Sequence, residues 1–289
     1  PQGLAPARGE RNLPTNLLGA VKLTGGANGF RYGAMTAIED EVSWRATDAL
    51  GRDQQIMDAG RDFSVLRLLY EHKDENRLGL GYLGTQVTGP RYKASVQGLD
   101  LHYGLGSGLF GVDMQLVQSD RAGETGRGGI LDVRYAASSA IQHKFEFEYF
   151  DSKVNVNDLG FLRRNNYRGG QYLLSYAYPK PGRWFQAARG TLIFRHQENL
   201  TAGQVVDQGV FWRNTLVLKG RNTSRSAMAY LPSRYEDRNS RGNGAYKTSD
   251  RIWLNALWAT DASRSLSFST SIGGLQEDLG DWTLRLTAG

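Results

Sequence analysis

The sequence contains no cysteine, which excludes a disulfide framework, catalysis by a thiolate and zinc sites ligated by cysteine. Proline is scarce, with 7 residues, whereas glycine is abundant, with 36. Because aromatic and β-branched residues are plentiful, this glycine content does not indicate disorder. A collagen helix is excluded as well, since there is no Gly-X-Y period.

Long hydrophobic runs are also missing: no stretch approaches the roughly 18 apolar residues of a membrane-spanning helix, and the mean hydropathy is -0.48. A strand of a membrane β-barrel is apolar only at alternate positions, so a low mean hydropathy is compatible with one. The segment Pro1 to Ala5 has neither the basic start nor the apolar run of a signal peptide. A removed signal, or a cut from a longer protein, would explain such a start.

Charge and histidine content narrow the function classes further. The formal net charge is +6, and its basic residues are scattered along the chain rather than clustered in a patch that would bind nucleic acid. The histidines, His72, His102, His143 and His196, show no metal-binding spacing. We therefore expect no metal, no cofactor and no nucleic-acid partner.

What is present is alternation of apolar and polar residues over stretches of about ten residues, and no sustained helical stripe. In Lys144 to Tyr149, Phe145, Phe147 and Tyr149 alternate with Lys144, Glu146 and Glu148. The stretch Ser265 to Ile272 alternates in the same way, with serine on one side. A period of two places the two sets on opposite faces of a β-strand.

The alternation and the turn residues predict fifteen strands. Their predicted ranges are 17–24, 29–38, 62–71, 77–87, 92–103, 108–119, 128–136, 140–150, 168–178, 183–196, 208–219, 223–235, 249–259, 264–275 and 281–288. Strands of about ten residues argue against a soluble β-sandwich, where five or six is typical. Since bacterial barrels close with an even number of strands, we expect an antiparallel transmembrane β-barrel of about sixteen strands or more.

This interpretation divides the chain into a lead-in or plug segment, 1–16, and a transmembrane β-barrel, 17–289. The ending Leu284 to Gly289 is typical of an interrupted strand, so we expect the barrel to be incomplete at that end. Short turns alternate with longer polar stretches at about 38–61, 87–92, 119–128, 151–168, 197–208 and 234–249. Short periplasmic turns and longer extracellular loops are the pattern of outer-membrane barrels.

Charged residues within the strands are expected on the inward face, because a charge facing hydrocarbon costs about 2–4 kcal/mol at the bilayer midplane. The candidate pore-lining residues are Lys22, Arg31, Asp100, Asp113, Lys144, Glu146, Glu148, Arg213, Arg251 and Arg285. Two interpretations stay open for them. They line a path for solutes and tune its selectivity, or they cross-link a blocked lumen by salt bridges.

A catalytic centre is a weaker hypothesis. Outer-membrane barrels can act as hydrolases with Ser, His and a carboxylate on neighbouring strands, and His102, Asp100 and Asp113 can converge on consecutive strands. The Gly106-Ser107-Gly108 segment is typical of a turn and lacks the strand-to-helix context of a nucleophile elbow. We therefore predict no catalytic residue.

Several blocks resemble an uncharacterised family of bacterial outer-membrane β-barrels in which the barrel follows a domain similar to a carbohydrate-binding module. The blocks are 18–25 with 29–37 as an opening hairpin, 62–68, 97–100 and the loop 157–165. The loop motif residues are Asp158, Gly160, Phe161, Arg163 and Arg164. Since this family has no established activity, the resemblance implies a fold and a location, and binding of carbohydrate does not transfer.

These observations together predict a porin-like passage or translocation module for small solutes or glycans in a bacterial outer membrane. The alternative is a non-conducting anchor or a structural subunit of a larger envelope complex, and an outer-membrane hydrolase is third. Expected partners are outer-membrane lipid and lipopolysaccharide, with other envelope proteins as further candidates.

Overall fold

The computed structural model describes residues 5–6, 15–48, 51–240, 243–276 and 280–289. Apart from a 3-10 turn at Lys219–Arg221, its regular elements are β-strands. They are β1 (Ala5–Pro6), β2 (Leu17–Ala27), β3 (Phe30–Glu39), β4 (Val42–Thr47), β5 (Asp53–Asp58), β6 (Asp62–Lys73), β7 (Asn76–Thr88), β8 (Lys93–Leu105), β9 (Phe110–Arg121), β10 (Glu124–Ala136), β11 (Ile141–Phe150), β12 (Tyr167–Tyr178), β13 (Phe185–Asn199), β14 (Val205–Leu218), β15 (Thr223–Leu231), β16 (Tyr235–Glu236), β17 (Tyr246–Lys247), β18 (Arg251–Ala259), β19 (Ser269–Gln276) and β20 (Trp282–Ala288).

Fifteen strands form one antiparallel sheet in the order β2-β3-β6-β7-β8-β9-β10-β11-β12-β13-β14-β15-β18-β19-β20. The chain is therefore an all-β protein built on a large antiparallel meander, as predicted. Among the described residues this sheet has two edges, β2 and β20, which do not pair with each other. A closed barrel and a sixteenth strand are thus not part of the described structure.

The predicted strands match the fifteen strands of the large sheet one for one, although some boundaries were wrong. The predicted strand from 264 begins at Ser269, since residues 260–268 form a longer connection in which Thr260 and Phe268 hydrogen-bond to each other. The polar stretch 119–128 was expected to be a long loop and is a tight turn. Ala122 and Gly123 both have positive φ there, which is the two-residue hairpin geometry that glycine favours.

The connections join the strands at the two ends of the sheet, where the strands begin and end. We call these ends edges; they are distinct from the edge strands β2 and β20. One edge, the turn edge, carries connections 28–29, 74–75, 106–109, 137–140, 179–184, 219–222 and 260–268. The other, the loop edge, carries 40–61, 89–92, 122–123, 151–166, 200–204 and 232–250. The three longest connections all lie on the loop edge, which agrees in part with the predicted separation of long loops from short turns. The connection 260–268 on the turn edge is, however, longer than 89–92, 122–123 and 200–204 on the loop edge.

Secondary structure inside the long loops makes two small additional sheets. In 40–61, β4 pairs with β5 and with β1, so that Ala5 and Pro6 lie beside Thr47 and Ala46. The remainder of the predicted lead-in segment, apart from Thr15 and Asn16, lies outside the described residues. In 232–250, β16 pairs with β17.

No helix among the described residues has the length and apolar character needed to cross a membrane.

Candidate functional site: the polar face of the sheet

All ten candidate pore-lining residues lie on the same face of the large sheet. Directly paired residues of neighbouring strands share a face, and so do alternate residues of one strand. The register connects Arg31 through Leu69 and Gly81 to Asp100, and connects Asp100 through Gln115 and Ile130 to Glu148. The register also places the other seven residues on this face: Lys22, Asp113, Lys144, Glu146, Arg213, Arg251 and Arg285. We call it the polar face.

The opposite face, the apolar face, carries Phe145, Phe147 and Tyr149 of β11. The register rows through Phe147, Phe145, His143 and Ile141 contain no Asp, Glu, Lys or Arg anywhere in the described sheet. Neighbouring positions on one face of a strand are about 7 Å apart, so this uncharged band is about 20 Å tall along the strands.

Exposure of the two faces is inverted relative to a soluble sheet. Leu99 and Phe147 on the apolar face are 58% and 53% exposed. On the polar face the side chains of Asp100 and Glu146 are only 8% and 19% exposed. In water a protein buries apolar side chains and exposes charges, and these residues show the reverse arrangement.

The centre of the polar face is a line of polar side chains across six adjacent strands. We call this line the polar row; its members, from β8 to β13, are His102, Asp113, Asp132, Glu146, Gln171 and Arg195. Asp113 lies directly opposite Asp132, and Asp132 directly opposite Glu146. Like charges in directly opposed positions destabilise a sheet, so this row requires cations beside it.

Those cations come from the next row toward the turn edge. Arg134 Nη2 lies 2.6 Å from Asp113 Oδ2. Lys144 Nζ lies 3.1 Å from Asp132 Oδ2 and also contacts the carboxylate of Glu146. One lysine therefore neutralises two opposed carboxylates, and the charges of the polar row are held in a connected network.

The three residues considered for a catalytic centre do converge. His102 Nδ1 lies 2.7 Å from Asp113 Oδ1, and His102 Nε2 lies 3.5 Å from Asp100 Oδ2. Asp100 also forms a bidentate ion pair with Arg67, whose Nη1 and Nη2 lie 2.6 and 2.9 Å from Oδ1 and Oδ2. Because both ring nitrogens of His102 face carboxylates, neither is directed at a serine hydroxyl as a hydrolase triad requires.

Two cavities on the polar face flank the polar row, one on each side. The cavity toward the turn edge has a volume of about 510 Å³, and its lining includes Arg77, Arg134 and Lys144. The second, of about 340 Å³, is lined by Arg67, Asp100 and Asp132 among others. The polar face thus leaves room for water or small solutes between its charged side chains.

The long connection 151–166, which we call the inner loop, folds over the polar face at the loop edge. Its Val154 is 1% exposed and packs against Phe150 and Tyr167. The Asn155 amide donates to Ser119 Oγ at 2.9 Å. A side chain at Gly126 would collide with the backbone of Val154, so glycine is required there for the close approach.

The loop motif of the sequence analysis belongs to this inner loop, and its residues have different environments. Asp158 accepts hydrogen bonds from Tyr92 Oη at 2.5 Å and from Arg121 Nε at 3.2 Å. The Gly160 amide donates to the Val156 carbonyl at 2.9 Å. Phe161 is 84% exposed.

Arg164 connects the inner loop to the connection 232–250. Its guanidinium donates to both oxygens of Asp237, at 2.8 and 2.6 Å, and Asn199 Nδ2 donates to the same carboxylate at 2.7 Å. Burial alone would raise the pKa of Asp237, yet the hydrogen bonds from Arg164 and Asn199 outweigh it and hold the pKa below its ordinary value. Arg163 makes no ion pair with a described residue.

Sequence reasoning did not single out Arg67, Asp132, Arg134, Gln171 and Arg195, although all five belong to the network. Their signal was present, because each alternates with apolar neighbours in a predicted strand. What the sequence could not provide is the lateral register that brings them into contact.

Among the described residues no group of histidine and carboxylate side chains has an arrangement that would hold a metal ion. Comparison with characterised proteins and with solved structures found no match to either. A family model does match, over residues 9–282, which is most of the chain. The chain therefore belongs to the family described as a domain of unknown function (DUF5916).

Proposed function

We propose that this chain is a transmembrane β-barrel of a bacterial outer membrane, with the polar face lining a lumen and the apolar face in contact with lipid. The observation that carries the proposal is the inverted exposure of Phe147 and Glu146, which are adjacent in β11. The uncharged band of about 20 Å is close to the apolar band of about 25 Å of known barrels.

Closure of the barrel needs one more antiparallel strand. In a meander of fifteen strands the first and the last run in the same direction, so β2 and β20 cannot pair antiparallel with each other. A sixteenth strand would satisfy both edges and give the even number typical of bacterial barrels. In this arrangement the turn edge is periplasmic and the loop edge is outside.

The function we propose is passage of small solutes or glycans through the lumen. A barrel of about sixteen strands leaves an aqueous channel when it is not plugged. The cavities of about 510 and 340 Å³ on the polar face support such a path. Outer-membrane lipid and lipopolysaccharide would contact the apolar face and the loop edge.

A non-conducting anchor, or a subunit of a larger envelope complex, is the second candidate, and the inner loop favours it. This loop covers part of the polar face and is held there by Ser119, Asp158 and Arg164. If it closes the lumen, the barrel displays or binds other envelope proteins rather than conducting.

The membrane orientation can be tested with single cysteines, since the chain has none. Gln115 and Leu116 are adjacent, both are exposed, and they lie on the polar and apolar faces respectively. In lipid vesicles we expect Gln115→Cys to react with a membrane-impermeant maleimide and Leu116→Cys to be protected until detergent is added. Equal reaction of both in vesicles would contradict the barrel.

Single-channel conductance in a planar bilayer then separates passage from anchoring. For a passage we expect steady conductance, with an ion selectivity that shifts in opposite directions for Lys144→Gln and Glu146→Gln. A silent bilayer, with insertion confirmed by the maleimide pattern, supports the anchor.

A further inference from the structure

The charges of the polar face are divided between its two halves. Three adjacent rows on the turn-edge side of the polar row, through Lys144, Gln142 and Ala177, contain no Asp or Glu in the described sheet. Their basic residues are Lys73, Arg77, Arg134, Lys144, Arg189, Arg213, Arg225 and Arg285. The carboxylates of this face lie in the polar row and beyond it toward the loop edge.

Only part of this basic half is neutralised. Arg77, Arg134 and Lys144 form ion pairs with carboxylates at its border. Farther from the polar row, Arg189, Arg213 and Arg225 make no ion pair with any described residue. All three side chains are exposed.

These three arginines, which we call the arginine triad, are neighbours on three adjacent strands. Arg189 of β13 and Arg225 of β15 both lie directly opposite Thr215 of β14. Arg213 is two residues from Thr215 on the same face. Diagonal neighbours of this kind are about 7–8 Å apart, within reach of long side chains. The triad therefore surrounds one point on the polar face.

A cavity of about 340 Å³ lies at this point. Its lining includes Arg189 and Arg213 together with hydrogen-bonding neutral side chains, Gln142, Ser175, Thr191 and Thr215, and no carboxylate. Guanidinium groups present several N–H donors in a planar fork that fits carboxylate and phosphate oxygens. Hydroxyl and amide groups around them can complete the coordination of an anion.

We propose that the arginine triad binds a soluble anion carrying two or more carboxylate or phosphate charges, and that this site selects anionic solutes at the turn edge. The position of the site inside a lumen rests on the proposed function. Binding of the anion to the folded protein does not, because it depends only on the triad and its cavity.

The test uses the full chain in detergent micelles and in planar bilayers, with inorganic pyrophosphate as the probe. We expect saturable binding of pyrophosphate by calorimetry. The triple variant Arg189→Gln, Arg213→Gln and Arg225→Gln should weaken it at least about tenfold, since each charge-assisted contact contributes appreciably to affinity. The corresponding triple replacement by Lys keeps the charge but removes the planar guanidinium. Its affinity for pyrophosphate should lie between those of the wild type and the triple Gln variant.

A control with the same charge change is the triple variant Arg91→Gln, Lys153→Gln and Lys247→Gln, whose residues lie in or beside the loops of the opposite edge. It should bind pyrophosphate like the wild type. Thermal unfolding of every variant shows whether the fold is intact. Equal weakening by control and triad variants, or no binding by the folded wild type, would overturn the site.

Conductance distinguishes failure of this site from failure of the proposed passage. If bilayers conduct, the reversal potential of the wild type should indicate anion preference, and the triad variant should shift it toward cations. Binding without conductance supports the site and contradicts the passage. Conductance with unchanged selectivity and unchanged pyrophosphate binding in the triad variant contradicts the site alone.

Discussion

The two faces of strand β11 differ although their residues alternate along one short segment. Phe147 is 53% exposed, whereas the side chain of its neighbour Glu146 is 19% exposed and contacts Lys144 and Gln171. On the polar face stability comes from compensated charge. On the apolar face large side chains contact one another across neighbouring strands, as Phe145 does with Tyr172, yet much of their surface stays exposed. In the proposed barrel, this exposed apolar surface is the part that contacts lipid.

The largest effect should come from placing a charge on the apolar face. In phospholipid vesicles we expect Phe147→Lys to lower the free energy of unfolding by about 2–4 kcal/mol, the cost of a basic side chain facing hydrocarbon. Gln115→Lys, on the polar face, is the matched control and should change it by no more than about 0.5 kcal/mol. Urea titration monitored by tryptophan fluorescence gives both values. A Phe147→Lys protein as stable as the control would show that no hydrocarbon contacts this face.

A smaller effect is expected from breaking the compensation on the polar face. Lys144→Gln leaves Asp132 and Glu146 directly opposed without their shared cation, so we expect a loss of about 1–3 kcal/mol in the same assay. Lys73→Gln removes an exposed charge from the same register row and serves as the control.

The double variant Lys144→Gln with Asp132→Asn should recover most of the loss, because it removes one of the two opposed charges. If the double variant is instead less stable than Lys144→Gln alone, Lys144 contributes through packing and not through charge.

The strands could be predicted because alternation is a local property, as in Lys144 to Tyr149. The polar face could be assigned for the same reason. The network could not be predicted, since contact between Asp113, Asp132 and Glu146 depends on the lateral register of three strands. The inner loop could not be predicted either, because its position depends on contacts such as Asp158 with Tyr92, 66 residues apart. Local pattern therefore determines faces, and long-range contacts determine which charges meet.

Two parts of the inner loop can be compared: Arg164 is held by Asp237, whereas Phe161 is exposed. Asp237→Asn keeps an oxygen acceptor for Arg164 and loses only the charge, so we expect about 1 kcal/mol less stability for the loop contact. A nitroxide spin label attached to the cysteine of Phe161→Cys should show the weakened contact as increased mobility of the inner loop. Asn199→Ala, which removes the weaker neutral donor to the same carboxylate, should give a smaller change.

The same contact should depend on pH. Because the pKa of Asp237 is lower in the folded protein, its contribution is complete above the ordinary value of 3.8 and is lost as the pH falls through the lowered pKa. The nitroxide should therefore become mobile in acid, and Asp237→Asn should remove that transition. A transition that is unchanged in Asp237→Asn would assign it to another group.

The smallest effect is expected at the exposed end of the loop motif. Phe161 is 84% exposed, so Phe161→Ala should change the free energy of unfolding by no more than about 0.5 kcal/mol. Arg164→Ala, three residues along the chain, should cost clearly more because it leaves the carboxylate of Asp237, which is 12% exposed, without its main partner. Equal costs in the urea titration would mean that Phe161 is buried in the membrane-inserted protein. In that case the inner loop reaches a second surface, and its exposed tip is a contact for lipid or for another envelope protein.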